Sequence, residues 1–283
     1  MKVLYDQEMH YSIMDPTGNI TALVESCAEP GKQPAAAAEI MARHPDVEQV
    51  GFVSVEGAGE DKGGSQISLR MAGGEFCGNA SMSAAALYLL KHHTGYSEDP
   101  VGKIYNVTLN VSGVAEPVLV RMRKDGSGSF TAGVHMPPAR FIEHRSFTYN
   151  EMTGLLPIVM MEGISHIIIE EESPFFRLAA DHQAAEEAVR RWAGELEEDG
   201  LGLIFVSRTR QMIPLVYIPV SNTMVWEKSC ASGTAALGMC LADRIFGPVD
   251  ETFAEPGGSL RVMSDPLNGN TWLFGSVKCL ESF

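Results

Sequence analysis

Two short stretches of the sequence each place a cysteine directly before small residues that open a long apolar segment. The first is CGNA, which begins at Cys77, and the second is SCASGT, whose cysteine is Cys230. Small polar residues before such a run predict a helix start, and a helix that is apolar on all sides must be buried. We therefore expect each thiol at the N-terminus of a buried helix, with the two helix ends facing one cleft.

This placement suits acid-base chemistry at a carbon atom. The positive end of a helix dipole lowers the pKa of a thiol and favours thiolate. The N–H groups of Gly78, Asn79, Ser232 and Gly233 lack helical acceptors in such a start and can hold a carboxylate. Two thiols on opposite sides of a bound amino acid could remove its α-proton and return one from the other face. The pattern therefore predicts inversion of the α-carbon without a cofactor.

The remaining cysteines and the histidines show no metal or disulfide pattern. Cys27, Cys240 and Cys279 fit small core residues, and five cysteines at irregular spacing argue against a disulfide framework. Neither Cys-x-x-Cys nor His-x-x-x-His occurs, so no metal site is expected. A redox switch between Cys77 and Cys230 stays an alternative at this point.

Composition limits the class of protein. A length of 283 residues predicts two domains, and 45% hydrophobic with 20% charged residues is typical of soluble globular chains. A net charge of −15 disfavours nucleic acid as a partner. The first residues include Lys2, Asp6 and Glu8 where a signal peptide would be apolar, and no apolar run is long enough to span a membrane. We expect a cytoplasmic protein; the sequence allows a homodimer but does not require one.

Short alternating and apolar runs predict a fold dominated by strands, with few helices. The predicted strands are Val47–Val55, Gln66–Met71, Ile104–Val111, Glu116–Arg123, Phe130–His135, Leu155–Met161 and Ile164–Glu170. The predicted helices are Pro34–Arg43, Ala80–His92, Gln183–Glu197 and Thr234–Ile245. Pro137, Pro138 and the polar stretch Glu143–Glu151 predict a boundary between two halves.

Four segments together match the pattern of a known family. They are Cys77 to Ala80, Ser229 to Thr234, Gly18-Asn19 and Pro256-Gly257-Gly258. In this order, over nearly the whole chain, they resemble the diaminopimelate epimerase family. The longer strings MAGGEFCGNASMSA, VEQVGF and PLVYIPVSNTMVWEKSCASGTAALG are similar to one branch of it, the histidine racemases that supply D-histidine for staphylopine-type metallophores.

The resemblance implies an α/β (α+β) fold of two pseudo-symmetric domains, each a β-sheet curled into a barrel around one central helix. On this basis we expect domains at residues 1–136 and 137–270, with 271–283 a strand that returns to the first. It further implies a cofactor-independent isomerase in which Cys77 and Cys230 exchange the roles of acid and base.

The resemblance also implies a set of binding residues. Backbone groups at Gly78, Asn79, Ser232 and Gly233 would hold the α-carboxylate, and Asn19, Gln49 and Glu227 would supply polar contacts. Glu48 and Gln49 fall in a predicted strand, whose alternation turns them to opposite faces, so we expect one of them in the cleft. His166 stands where the family has the histidine of Gly-Asn-Pro-His, and a core histidine explains it equally well.

The departures from the family concern the substrate. Diaminopimelate epimerases follow their acidic residue with an arginine that grips a distal carboxylate, whereas Glu227 is followed by Lys228, which lacks that bidentate geometry. This departure argues against diaminopimelate, and the resemblance to the histidine-racemase branch implies a racemase acting on histidine. Diaminopimelate or another amino acid, a proline-racemase-like enzyme, and a non-catalytic amino-acid-binding protein stay open as alternatives.

Overall fold

The computed structural model describes residues 9–26, 29–56, 66–92, 94–100 and 102–283. Over these residues the chain forms a mixed α/β fold with two β-sheets and four α-helices. Cys27, which we expected in the core, lies outside the described residues. Cys240 is buried, as expected, whereas Cys279 is half-buried.

The bounds of the elements are as follows. The helices are α1 (Gln33–Arg43), α2 (Gly78–Lys91), α3 (His182–Leu196) and α4 (Ala231–Ile245). The strands are β1 (Tyr11–Pro16), β2 (Thr21–Val24), β3 (Gln49–Glu56), β4 (Gln66–Met71), β5 (Ser97–Asp99), β6 (Gly102–Val111), β7 (Val118–Gly126), β8 (Ser129–His135), β9 (Phe141–Tyr149), β10 (Met152–Met160), β11 (Ser165–Glu170), β12 (Leu201–Val206), β13 (Met212–Ile218), β14 (Thr223–Trp226), β15 (Val249–Glu255), β16 (Gly258–Asp265) and β17 (Asn270–Ser282).

The first sheet closes on itself around α2. Its strands run in the order β1-β2-β3-β4-β6-β7-β8-β17, and β1 also pairs with β17, which closes the ring. Helix α2 contacts strands on every side of this ring, and eleven of its residues are buried. Its sequence is apolar all round because each of its faces meets the barrel wall.

The last strand, β17, joins the two ends of the chain and the two halves of the molecule. It pairs with β16 over residues 270–274, with β8 over 272–278, and with β1 over 277–282. Strands β15 and β16 extend the first sheet beyond β17. The division of the chain at residues 136 and 270 stays a prediction.

The second sheet separates α3 from α4. Its order is β14-β13-β12-β11-β10-β9. Helix α3 covers one face, where the buried ring of Trp192 packs 5.0 Å from Phe147 and 5.4 Å from Phe175 between ring centroids. Helix α4 lies on the other side and contacts both this sheet and strands β15 to β17. The second cysteine-bearing helix is therefore enclosed like the first.

The polar stretch that we expected near the boundary between the two halves contains a strand. The polar stretch Glu143–Glu151, which we expected to be a boundary, falls largely in β9 and the turn that leads into β10. Because β9 is the edge of the second sheet, most of its side chains are exposed and can be polar. In the described part of the chain, no helix is both long and apolar enough to cross a membrane.

Candidate active site

The two cysteines occupy the N-cap positions of α2 and α4. The Sγ atom of Cys77 accepts a hydrogen bond from the N–H of Ala80 at 3.3 Å, and that of Cys230 accepts one from Gly233 at 3.4 Å. The helix starts touch, because a Cβ placed on Gly78 would lie 2.9 Å from the Cβ of Ala231. Contact between the two helix ends brings both thiols to one cavity.

This cavity has a volume of about 360 Å³ and is lined by both cysteines. Asn79 and Ser232, each in the first turn of its helix, also line it. The first N–H groups of a helix have no intrahelical acceptor and attract an anion. The apolar part of the lining, which we call the apolar wall, includes Pro34, Ala37, Met41, Ile164, Ile218 and Val220.

A hydrogen-bond network fixes the side of the cavity around Cys77. The thiol donates to Gln49 Oε1 at 3.1 Å, and Gln49 Nε2 donates to Asn19 Oδ1 at 2.6 Å and to Thr21 Oγ1 at 2.8 Å. Asn79 Nδ2 donates to the same Asn19 oxygen at 3.1 Å. Asn19 is fully buried, so it positions Gln49 and Asn79 from behind the cavity wall.

A buried carboxylate supports the side around Cys230. Glu255 accepts a hydrogen bond from the backbone N–H of Cys230 at 2.6 Å and one from Thr234 Oγ1 at 2.7 Å. It is 8% exposed, and burial raises its pKa well above the ordinary glutamate value. The sequence alone did not lead us to Glu255. The feature that could have indicated it is its position directly before Pro256-Gly257-Gly258, one of the segments that carry the family resemblance.

Three glutamates line the cavity, namely Glu48, Glu75 and Glu227. Glu48 accepts from Asn19 Nδ2 at 2.6 Å and from the N–H of Lys228 at 3.2 Å, and lies 3.7 Å from Lys228 Nζ. Burial raises the pKa of Glu227 to about 8; a hydrogen bond with Cys230 opposes the rise, and the charges of Glu48 and Glu75 add to it. Among the described lining residues there is no lysine, arginine or histidine.

The pKa values of both thiols differ from the sequence prediction. Burial, with the charge of Glu227 adding to it, raises the pKa of Cys77 from 9.0 to about 12, and the same causes raise that of Cys230 well above 9.0. For Cys77 the rise corresponds to about 4 kcal/mol against the thiolate. A helix end offers at most ~2 kcal/mol in its favour. The two groups predicted to be thiolates are therefore thiols in this cavity.

Several predicted site residues line the cavity, and one prediction among them is wrong. The lining includes Cys77, Cys230, Gln49, Asn79, Glu227, Ser232 and Glu48. We expected Glu48 and Gln49 to face opposite ways, but β3 begins at Gln49, so strand alternation does not apply to Glu48. Hydrogen bonds from Asn19 and from the Lys228 N–H hold its carboxylate at the cavity.

Four predicted site residues lie outside the lining. Asn19 stands behind it, Gly78 packs against Ala231, and the N–H of Gly233 is engaged by the sulfur of Cys230. His166 is fully buried in β11 beside Gly202, where a larger residue would collide with the imidazole ring. Neither of its ring nitrogens has a partner among the described residues, and burial lowers its pKa to about 3, so the ring is neutral.

Comparison with known proteins shows which family the chain belongs to. A family model described as the histidine racemase CntK N-terminal domain matches residues 8–273. The chain belongs to this histidine racemase family. A histidine racemase from Staphylococcus aureus is 30% identical over 263 residues, which cover 91% of this chain and 89% of the relative. One from Fusobacterium nucleatum is 32% identical over 242 residues, which cover 83% and 82%. This member of the histidine racemase family is thus an isomerase, an amino-acid racemase.

Solved structures confirm the fold predicted for this racemase. A hydroxyproline epimerase from Agrobacterium vitis superposes with a TM-score of 0.66 at 10% identity, covering 100% of this chain and 92% of that one. A probable proline racemase from Agrobacterium radiobacter gives 0.64 at 11% identity, covering 98% and 91%. A phenazine biosynthesis protein of the PhzF family from Bacillus anthracis gives 0.58 at 9% identity, covering 97% and 98%.

Proposed function

We propose that this racemase interconverts L- and D-histidine without a cofactor, with Cys77 and Cys230 as the acid and base. The observation that carries the proposal is the pair of thiols at two touching helix starts in one cavity. The names of the relatives support histidine as the substrate.

The helix starts supply the site for the α-carboxylate. The N–H groups of Asn79 and Ser232 belong to residues that line the cavity between the thiols. A carboxylate held by two helix ends is stabilised further as the α-proton leaves and negative charge spreads onto its oxygens. The α-carbon then lies between the two sulfur atoms.

Glu227 provides a way to form the thiolate that burial disfavours. It is hydrogen-bonded to Cys230, and its pKa of about 8 is raised by burial and by the other two glutamates. Glu227 can accept a proton once it is ionised, which the folded protein reaches as the pH rises through about 8. For one enantiomer, this carboxylate takes the proton of the Cys230 thiol, and the resulting thiolate takes the α-proton. Cys77 gives its own proton to the opposite face of the α-carbon, which leaves Cys77 as the thiolate. The other enantiomer reverses these roles.

The charge of the cavity favours histidine over diaminopimelate. A second carboxylate on the ligand would meet Glu48, Glu75 and Glu227, and no cationic side chain stands among the described lining residues to compensate. A neutral or cationic imidazole meets no such repulsion. The largely apolar wall of the cavity also suits a flat ring.

Proton NMR of L-histidine in deuterated buffer with a reductant tests this function. We expect the wild-type protein to remove the α-proton signal and the optical rotation, and Cys77→Ser and Cys230→Ser to remove neither. Cys279→Ser, which changes a half-buried cysteine of β17 outside the cavity, is the matched control and should behave like wild type. Exchange of the α-proton of diaminopimelate but not of histidine would overturn the assignment of histidine as the substrate. Silence with every amino acid, combined with ligand binding that depends on oxidation, would favour a binding or redox protein.

A further inference from the structure

Glu75 stands apart from the other two glutamates of the cavity in how its carboxylate is engaged. Each of the three carboxylates interacts with neighbouring groups: Glu48 with Asn19 and Lys228, Glu227 with Cys230, and Glu75 with backbone N–H groups of its own loop. The Oε2 atom of Glu75 is buried and has no hydrogen-bond partner within the described ranges. A buried carboxylate oxygen is costly to leave without a donor, so a donor from the ligand would be stabilised there.

The loop between β4 and α2 holds this carboxylate in place. A Cβ added to Gly73 would lie 2.5 Å from Glu75 Oε2 and 3.0 Å from the side chain of Ile218, so the carboxylate packs closely against Gly73 near the apolar wall. Burial raises the pKa of Glu75, while the N–H of Gly73 and the charge of Arg70 oppose the rise. The side chain is thus a preorganised acceptor beside an apolar surface.

The proposed function assigns the other polar groups of the cavity. The helix starts hold the α-carboxylate, the thiols flank the α-carbon, and Glu227 exchanges a proton with Cys230. The Oε2 atom of Glu75 is the buried carboxylate oxygen that this arrangement leaves without a donor among the described residues. A ring that packs on the apolar wall while donating one N–H fits both features.

We propose that Glu75 is the specificity-determining residue of this cavity, binding the N–H of the substrate's side-chain ring and so selecting imidazole. This inference rests on the proposed function. It predicts that amino acids whose ring lacks an N–H bind without help from Glu75, and that acidic side chains are repelled by it.

Binding calorimetry with two ligands tests the proposal. The ligands are L-histidine and L-2-thienylalanine, whose five-membered ring carries no N–H. Glu75→Gln replaces a charged acceptor with a neutral one, which should weaken histidine binding about tenfold. Thienylalanine binding should change less than twofold. Gly73→Ala, whose Cβ displaces the carboxylate but keeps its charge, should reduce the same selectivity, and Glu116→Gln, an exposed change outside the cavity, should leave both affinities unaltered.

Equally weakened binding of both ligands to Glu75→Gln would overturn the proposal. It would mean that Glu75 binds the α-ammonium group, which both ligands share, or that it supports the fold. Unchanged binding of both ligands would also overturn it. In turnover, the proposal expects a raised KM with little change in kcat. Failure of the proposed function appears separately, as wild-type protein that binds histidine without exchanging its α-proton.

Discussion

Replacing Gly78 with alanine tests whether contact between the two helix starts sets the spacing of the thiols. The new Cβ would lie 2.9 Å from the Cβ of Ala231 and 3.3 Å from the sulfur of Met136. Carbon atoms in good contact are about 3.5–4.0 Å apart. The helix starts must therefore separate by at least roughly half an ångström, because neither alanine has a flexible side chain that could move aside.

The expected size of the effect follows from this displacement. Inserting a methyl group into a packed core costs typically about 1–3 kcal/mol. Misplacement of catalytic groups by about 1 Å can reduce a rate about a hundredfold, so a displacement of about half an ångström should reduce kcat roughly tenfold. We thus expect Gly78→Ala to lower both the free energy of unfolding and the rate of α-proton exchange.

Urea denaturation and α-proton exchange, measured on the same protein, check the two effects. Gly194→Ala is the matched control, because Gly194 lies within α3 and a Cβ there has no neighbour within 4 Å among the described residues. It should stabilise the protein by about 0.4–1 kcal/mol and leave exchange unchanged. The reasoning fails if Gly78→Ala is as stable and as active as Gly194→Ala.

Two further predictions concern the buried carboxylates. The pKa of Glu227 is about 8 in the folded protein, whereas the ordinary glutamate pKa is 4.5. Protonated Glu227 therefore stabilises the folded state at low pH, and this stabilisation is lost as the pH rises from 4.5 through about 8. Glu227→Gln should reduce the fall in the free energy of unfolding between these pH values by an amount on the order of a few kcal/mol. Urea denaturation at several pH values measures this fall. An unchanged dependence on pH would contradict the raised pKa of Glu227. Glu255→Gln removes a charge that raises the pKa of Cys230, so alkylation of Cys230, followed by peptide mass spectrometry, should reach half its maximum at lower pH. A midpoint equal to or above that of wild type would argue against this role of Glu255.

Local sequence predicted the helices well and many strands poorly. All four helices were predicted to within three residues of their observed ends, because capping residues and apolar periodicity lie within each helix. Local patterns did not predict strands β1, β2, β5, β9 and β12 to β16, and β17 was expected only from the family resemblance. Part of the pairing is long-range, as between β1 and β17 at opposite ends of the chain, and a short window of sequence does not contain both partners.

The same distinction holds for the candidate site. Glu75 and Glu255 were missed because a single glutamate looks solvated until the fold buries it. Glu48 reached the cavity because the strand began one residue after it. The raised thiol pKa values arise from burial and from nearby carboxylates, and both act against the helix ends. Glu227 is close in sequence to Cys230, but only the fold brings it to Cys77.

By itself, the sequence determined that each of two cysteines caps an apolar helix, and which family the chain resembles. Both follow from residue types and spacing within short segments. Only the tertiary structure decided that the two helix starts touch, that three glutamates share their cavity, and that burial there favours the protonated thiols. These features depend on burial and on charges brought together by strands far apart in the chain, and desolvation outweighs the local helix ends.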